Sequence, residues 1–152
     1  MNSVHPSVFL VDPDATDRLA RHLAGLVAPG DTLLLEGPIG AGKSHLARAL
    51  IRALGVAEDI PSPTFTLVQV YETALGEVWH SDLYRLSGPD EALELGLIEA
   101  FPTAICLVEW PDRLGPDRPD SALTLRFSIE GEGRRIEFLA DDPAWSARLR
   151  DV

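Results

Sequence analysis

The sequence predicts an α/β fold in a single domain of residues 1–152, with a mixed parallel/antiparallel central sheet flanked by helices. Three observations lead to this prediction. A short apolar strand is followed at once by a glycine-rich loop and an amphipathic helix, within residues 32–54. A second apolar run without alternation lies at 104–108, as expected of a strand buried on both faces. Later pairs of extended segments surround glycine residues, which indicates antiparallel hairpins.

The first half of the chain predicts strand, helix, strand and helix in that order. An apolar run at 8–11 is typical of a strand. Asp12 and Pro13 then favour the start of a helix, because aspartate caps free N–H groups and proline suits the first helical position. The run at 32–36 is apolar without alternation, which predicts a buried strand. Apolar residues at helical spacing after the glycine loop predict a second helix that ends at Gly55.

The second half of the chain predicts shorter elements joined by turns. Gly76 separates two extended runs that would form a hairpin, and a second hairpin would turn around Gly131 and Gly133. The predicted elements are strands at 65–71 and 77–84, a short helix at 89–97, a buried strand at 104–108 before Glu109, a surface loop at 111–119, strands at 123–129 and 134–139, and a terminal helix after Asp142.

Charge and composition limit the classes of function. The formal net charge is -11, whereas a protein that binds nucleic acid unaided usually carries a basic face. This charge argues against unaided binding to DNA or RNA, but it does not exclude action on RNA through a basic partner protein. No apolar run approaches the ~20 residues of a membrane helix, and the start of the chain lacks the pattern of a signal peptide. With a single cysteine, Cys106, these features predict a cytoplasmic protein that does not enter a membrane.

A phosphate-binding motif lies between the strand at 32–36 and the helix that follows it. Glycine permits backbone angles that a side chain would forbid, so the N–H groups of such a loop turn inward on an anion. The start of the helix adds free N–H groups and the positive end of its dipole. The match to G-x-x-x-x-G-K-[ST] is complete: Gly37, Pro38, Ile39, Gly40, Ala41, Gly42, Lys43 and Ser44.

Two side chains of this motif bring specific chemistry. Lys43 is the only lysine among 13 Lys and Arg residues, and it would place a compact charge between the outer phosphates of a nucleotide. The hydroxyl group of Ser44 is suited to be a Mg²⁺ ligand. We therefore predict that residues 37–44, together with His45 at the start of the helix, bind a nucleoside triphosphate with Mg²⁺.

An acidic residue at the end of the second buried strand would complete the metal site. In P-loop proteins a carboxylate at the end of a nearby strand holds Mg²⁺ or its water. Glu109 follows four apolar residues at 105–108. The alternative is a strand that merely ends on a polar residue, which is common, but the phosphate loop favours the functional interpretation.

Two further residues have interpretations that remain open. Asp82, at the end of an extended run, would organise the attacking water or the metal shell, or else pair with Arg85 or cap a turn. Thr64 lies in a constrained turn after Pro63. It would sense the γ-phosphate as a switch-loop threonine does, or be a plain turn residue.

Five ordered segments extend over most of the chain. They are residues 37–44, S-P-T-F-T-L at 62–67 with Tyr71-Glu72 after it, D-L-Y-R-L at 82–86, E-L-G-L at 94–97 and E-W-P at 109–111. In order and spacing they resemble the bacterial TsaE (YjeE) family, the P-loop ATPase that serves the synthesis of threonylcarbamoyladenosine in tRNA. Many families share the phosphate loop, whereas the later segments together are far more specific.

The resemblance implies a P-loop ATPase that acts as an accessory subunit, with ATP as its nucleotide. It implies that Ser44 and Glu109 hold Mg²⁺, that Asp82 takes part in hydrolysis beside Lys43, and that Thr64 lies in a switch-like loop. The family partners are the TsaD and TsaB proteins. TsaD carries the transfer of the threonylcarbamoyl group to adenosine 37 of tRNA, ATP turnover supports cycling of the complex, and the RNA need not touch this chain directly.

The chain departs from the family pattern at two positions. Ser44 stands where the family usually has threonine, and both hydroxyl groups ligate Mg²⁺. Asp112 stands where the family commonly has glutamate after E-W-P, which concerns a surface contact rather than the metal site at Glu109. By a weaker analogy, Arg134 or Arg135 approaches the nucleotide base.

Two rival functions use the same loop. A small-molecule or nucleotide kinase would need an acceptor pocket and usually an Arg-bearing lid, and no such Arg cluster is evident in the sequence. A nucleotide-gated binding module with negligible hydrolysis is closer to the leading interpretation. If Thr64 and Asp82 reach their positions only against a partner, the protein alone would be a slow ATPase.

Overall fold

The chain folds around one mixed β-sheet with helices on both faces. The structure is a computed structural model, and it describes residues 1–63 and 66–152. Its elements are β1 (Asn2–Leu10), α1 (Pro13–Ala24), β2 (Thr32–Glu36), α2 (Lys43–Ala53), β3 (Val68–Thr73), β4 (Gly76–Asp82), α3 (Pro89–Glu94), α4 (Leu97–Ala100), β5 (Ile105–Glu109), a 3₁₀ segment (Pro111–Asp117), β6 (Leu123–Glu130), β7 (Gly133–Ala140) and α5 (Ala144–Arg148).

Parallel pairs form the centre of the sheet, and antiparallel pairs form its flanks. The strands of the described residues follow the order β1-β7-β6-β2-β5-β4-β3. β2 is parallel to β5 and β6, and β4 is parallel to β5. The pairs β1–β7, β6–β7 and β3–β4 are antiparallel. The predicted α/β fold with a mixed sheet is therefore confirmed, and the carboxyl ends of β2, β4 and β5 meet at one edge.

Successive side chains of the central strands point to opposite faces, so the sheet has a core on each side. Leu33 and Leu35 of β2 pack with residues of α1, α2 and α5. Leu34, between them, packs with residues of α3 and α4. Truncating a leucine in such a core to alanine costs about 2–5 kcal/mol. These two cores fix the central strands, and with them the loops at the carboxyl ends of the strands.

The two long helices begin where the sequence predicts. The carboxylate of Asp12 accepts a hydrogen bond from the N–H of Ala15 at 2.9 Å, and Pro13 occupies the first position of α1. α2 begins at Lys43, directly after Gly42. No helix among the described residues has both the length and the apolar character needed to cross a membrane.

Both predicted hairpins are present. β3 and β4 pair from Val68 opposite Ser81 to Thr73 opposite Gly76, and β6 and β7 pair along their whole length. β4 ends at Asp82, before the predicted end at residue 84. The predicted start of the first strand of this hairpin, Phe65, lies outside the described residues.

Other predicted elements also differ from the structure. β1 begins at Asn2 rather than at residue 8, because it pairs with β7 over this whole stretch with two irregularities in register. The predicted single helix at 89–97 is two short helices, since Gly96 adopts a φ of 80° between α3 and α4. The predicted surface loop at 111–119 contains the 3₁₀ segment, and Leu114 in it is buried in the core beside α3 and α4.

Candidate functional site

Glycine shapes the loop that joins β2 to α2. Gly37, Gly40 and Gly42 have φ values of 140°, 83° and 100°, which residues with side chains rarely adopt. Gly37 also passes close to β6, since a Cβ atom added there would lie 2.5 Å from the backbone oxygen of Phe127. The course of the loop past β6 therefore requires glycine at position 37.

A cavity of about 460 Å³ opens in front of this loop. We call it the phosphate cavity. The start of α2 forms one wall, and the carboxyl ends of β4 and β5 form the other. Its lining residues are Ile39, Gly40, Gly42, Lys43, Ser44, His45, Asp82, Tyr84, Glu109 and Trp110.

Three residues of the predicted cofactor-binding set do not line the phosphate cavity. Gly37, Pro38 and Ala41 form the turn behind it, where the N–H of Ala41 donates to the carbonyl oxygen of Pro38 at 3.2 Å. Ala41 is fully buried in the core beneath α2. These residues set the shape of the loop, whereas the other six of the set, Ile39, Gly40, Gly42, Lys43, Ser44 and His45, face the cavity.

Lys43 is a buried cation at the bottom of the phosphate cavity. Its ammonium group donates a hydrogen bond to the carbonyl oxygen of Gly37 and lies 3.7 Å from the centroid of the Trp110 ring. Burial lowers the pKa of Lys43 from its usual value, and the negative charges of Glu109, Asp82 and Asp112 offset this effect only in part. The charge of an anion in the cavity would further stabilise the ammonium form.

A chain of hydrogen bonds links Ser44, Glu109 and His80. The hydroxyl of Ser44 donates to Oε1 of Glu109 at 2.7 Å. Nε2 of His80 lies 2.7 Å from Oε2 of the same carboxylate. The side chain of His80 is 0% exposed and that of Glu109 is 3% exposed, so water does not compete for the contact between these two residues. Both oxygens of the Glu109 carboxylate are therefore engaged.

Ser44 and Glu109 fit a Mg²⁺ ion by the chemistry of their oxygen atoms and by their proximity. Mg²⁺ binds oxygen ligands in octahedral geometry and keeps several waters, so one or two protein oxygens suffice beside the phosphates of a substrate. The 2.7 Å hydrogen bond from the Ser44 hydroxyl to Oε1 of Glu109 brings two such oxygens together beside the phosphate loop.

Asp82 lies beside Glu109 at the same edge of the sheet. The two residues are opposite each other in the parallel pair β4–β5, so their side chains share a face. Oδ1 of Asp82 accepts a hydrogen bond from the N–H of Tyr84 at 3.0 Å, a turn contact of the kind that the alternative interpretation of Asp82 includes. The side chain is buried except where it faces the phosphate cavity.

Trp110 covers the floor of the phosphate cavity. It follows Glu109 directly and has a φ of 58°, an unusual value for a residue with a large side chain. Its ring contacts Lys43, and its centroid lies 4.9 Å from that of Tyr84. The structure therefore places Trp110 against the lysine of the phosphate loop.

A second cavity of about 230 Å³ adjoins the phosphate loop on the side of β7. It shares Gly42 and His45 with the phosphate cavity, and Asp12, Thr16 and Arg134 also line it. Nη2 of Arg134 donates to the carbonyl oxygen of Gly40 at 3.1 Å, which ties the β6–β7 hairpin to the loop.

Four other predicted residues are placed as follows. Arg135 forms a salt bridge with Glu130 at the exposed surface and lines neither of these two cavities. His45, besides lining both cavities, has Nε2 2.8 Å from a carboxylate oxygen of Asp17. Asp112 is paired with Arg113 at 3.0 Å. Thr64 lies outside the described residues.

His80 and Tyr84 belong to the site but were missed as site residues. The spacing of His80 gives only a partial signal: it lies two residues before Asp82 on one strand, so the two side chains share a face, but its contact with Glu109 depends on the register of β4 and β5. Tyr84 lies beyond the end of β4 and reaches the cavity through a turn. Strand alternation does not predict that position.

Comparisons with known proteins agree with one another. Residues 10–136 match the model of the family described as threonylcarbamoyl adenosine biosynthesis protein TsaE. The tRNA threonylcarbamoyladenosine biosynthesis protein TsaE of Bacillus subtilis (strain 168) is 36% identical over 132 residues, which cover 86% of this chain and 82% of that protein. The protein of the same name from Synechocystis sp. is 40% identical over 122 residues, 75% of each chain. The crystal structure of YdiB from Bacillus subtilis is similar with a TM-score of 0.78 and 26% identity, over 96% of this chain and 92% of that one.

Proposed function

Because this chain belongs to the TsaE family, which serves the biosynthesis of threonylcarbamoyladenosine in tRNA, we propose that it is a Mg²⁺-dependent subunit that binds and hydrolyses ATP in that pathway. Its fold, like that of its structural relative, is P-loop NTPase-like. The observation that carries the proposal is the 2.7 Å contact between Ser44 and Glu109 beside Lys43, on the floor of the phosphate cavity. A hydroxyl, a carboxylate and an ammonium group converge there.

The loop and the start of α2 would bind the phosphates of ATP. Backbone N–H groups at the start of a helix bind anions well, because they lack partners within the helix and lie at its positive end. Lys43 would exchange its contact with the carbonyl oxygen of Gly37 for a phosphate oxygen. Ser44 and Glu109 would hold Mg²⁺, which when bound neutralises negative charge that develops on the phosphates.

Hydrolysis needs a water molecule aligned with the outer phosphate, and Asp82 is the residue we propose for this role. Its carboxylate faces the phosphate cavity beside Glu109 and is positioned by the N–H of Tyr84. By the family resemblance, Thr64 would sense the γ-phosphate. If Thr64 and Asp82 reach their catalytic positions only against a partner protein, the chain alone would hydrolyse ATP slowly.

We further propose that TsaD and TsaB are the partners of this chain and that tRNA contacts it only through them. The formal charge of -11 supports this division, because an acidic chain gains little from the phosphate contacts that dominate RNA binding. A subunit that works on tRNA with these partners would act in the cytoplasm. The transfer of the threonylcarbamoyl group itself is assigned to TsaD.

The test is the rate of ATP hydrolysis with and without partners. We expect slow release of phosphate from the protein alone and a clear increase when TsaD and TsaB are added. Lys43→Ala in the same complex is the control, and it should abolish the increase, which assigns the activity to this chain. Equal rates with and without partners would contradict the accessory role, and transfer of phosphate to a nucleoside or sugar would favour a kinase.

A further inference from the structure

The carboxylate of Glu109 is held by two side chains, one on each oxygen. Oε1 accepts from Ser44, which belongs to the phosphate loop, and Oε2 faces Nε2 of His80 at 2.7 Å. His80 is fully buried on β4 and does not line the phosphate cavity. A metal ion and a phosphate would therefore compete for the Ser44 contact but not for the His80 contact.

The register of β4 and β5 explains why His80 reaches Glu109. In this parallel pair His80 lies opposite Leu107, and Asp82 lies opposite Glu109. His80 and Asp82 are two residues apart, so both point to the face that carries the Glu109 side chain. The imidazole ring leans along the strand to the carboxylate, while Asp82 takes the position next to the cavity.

The two ring nitrogens of His80 have different surroundings. Nε2 contacts Glu109, whereas Nδ1 is buried without a hydrogen-bond partner among the described residues. For Nε2 to donate a hydrogen bond to the Glu109 carboxylate, the imidazole proton must lie on Nε2. Packing and this one contact fix the ring.

We propose that His80 is a positioning residue for Glu109. The N–H at Nε2 holds Oε2 in place and prevents rotation of the carboxylate. Oε1 consequently stays beside the Ser44 hydroxyl, where the two oxygens would hold Mg²⁺. The inference rests on the proposed function, since it takes Glu109 as a metal ligand. Loss of an outer hydrogen bond of this kind weakens metal affinity or activity by about 10–100-fold.

The test compares three substitutions. His80→Gln places an amide N–H near the position of Nε2, His80→Asn is too short to reach Glu109, and His80→Leu has no donor. Binding of a fluorescent ATP analogue is titrated in EDTA and over a series of Mg²⁺ concentrations. We expect the asparagine and leucine variants to need about 10–100-fold more Mg²⁺ for tight binding, with unchanged binding in EDTA. The glutamine variant should recover most of the wild-type behaviour.

His22→Leu is the matched control, because His22 is an exposed histidine of α1. It should keep the wild-type Mg²⁺ requirement, and circular dichroism checks the folding of every variant. If the leucine variant does not fold, the two amide variants decide, since both are polar and only one reaches Glu109. A folded leucine variant with the wild-type requirement, or equal requirements in the two amide variants, would overturn the role of His80.

A second measurement needs neither nucleotide nor metal. ¹⁵N NMR of the wild-type protein should show the imidazole proton of His80 on Nε2 and in slow exchange with water, and Glu109→Gln should shift that signal. A proton on Nδ1 would overturn this inference and leave the proposed function intact. If the wild-type protein binds the ATP analogue equally well with and without Mg²⁺, that result would overturn both the role of His80 and the proposed Mg²⁺-dependent function.

Discussion

The ammonium group of Lys43 is buried at the phosphate cavity, and among the described residues no carboxylate forms a salt bridge with it. Its contacts are a carbonyl oxygen and the face of a Trp ring, and the carboxylates of Glu109 and Asp82 act on it without a hydrogen bond that the structure shows. Such an arrangement stabilises a cation less than a direct ion pair does. The side chain is therefore suited to bind an arriving anion rather than to hold the fold together.

Lys43→Ala should weaken the binding of ATP with Mg²⁺ by roughly 10–100-fold, because a hydrogen bond to a charged group contributes about 1.5–3 kcal/mol. The melting temperature should stay close to that of the wild type, since the side chain packs at a cavity wall. Calorimetric titration measures the affinity, and thermal unfolding followed by circular dichroism measures the stability. Lys43→Arg keeps the charge, but its wider planar group should not restore the affinity. An alanine variant with normal affinity would remove Lys43 from the site.

Single residues of the site were predictable to different degrees, for physical reasons. Lys43 and Ser44 belong to a contiguous motif whose spacing is set by the loop, and Glu109 ends an apolar strand, so both signals are local in sequence. His80 contacts Glu109 through a register that no local pattern encodes. Residues that act through a neighbouring strand become visible only when the pairing of the strands is known.

At the scale of elements, the phosphate loop depends on its approach to β6. Gly37→Ala should destabilise the protein by about 1–3 kcal/mol and impair ATP binding, because its Cβ would lie 2.5 Å from the backbone oxygen of Phe127. Backbone atoms cannot rotate away as a flexible side chain can, so the loop or β6 must move. Urea unfolding measures the loss of stability, and titration with ATP measures the loss of binding.

Gly88→Ala is the matched control for this substitution. Gly88 has an extended φ of 178°, and a Cβ atom there would meet nothing within 4 Å. We expect its effect on the free energy of unfolding to stay within about 0.5 kcal/mol. Similar losses in both variants would show that glycine content in general, and not the contact with Phe127, limits stability.

Elements were predictable where burial dictates their residues. β2 and β5 are buried on both faces, so their apolar runs indicated them with little error. The first residues of β1 are mostly exposed and include Pro6, and they are extended because β7 supplies hydrogen-bond partners. The sequence around 89–100 contains enough helix-favouring residues for one helix, and the left-handed backbone at Gly96 divides it.

At the scale of the whole molecule, the fold brings distant parts of the chain to one edge of the sheet. Parallel strands β2, β4 and β5 end there, and each delivers one part of the site: the phosphate loop, Asp82, and Glu109 with Trp110. The rigidity of these strands therefore matters for the proposed function. Cys106, the only cysteine of the chain, lies fully buried on β5 between β2 and β4 and can report on that rigidity.

Cys106 should react with a thiol reagent only when the molecule unfolds. Burial raises the pKa of its thiol to about 12, so the reactive thiolate is scarce in the folded protein at neutral pH. Labelling with Ellman's reagent should be slow in buffer, rise with urea in parallel with the unfolded fraction, and reach one thiol per chain in full denaturant. Because the folded pKa is raised above its unfolded value, the contribution of this thiol to stability is complete below about pH 9 and is lost as the pH rises toward 12. In the Cys106→Ala variant, the free energy of unfolding should not show the decrease that this thiol causes at alkaline pH. Rapid labelling of the folded protein would show that β5 opens locally, and it would contradict a rigid central sheet behind the site.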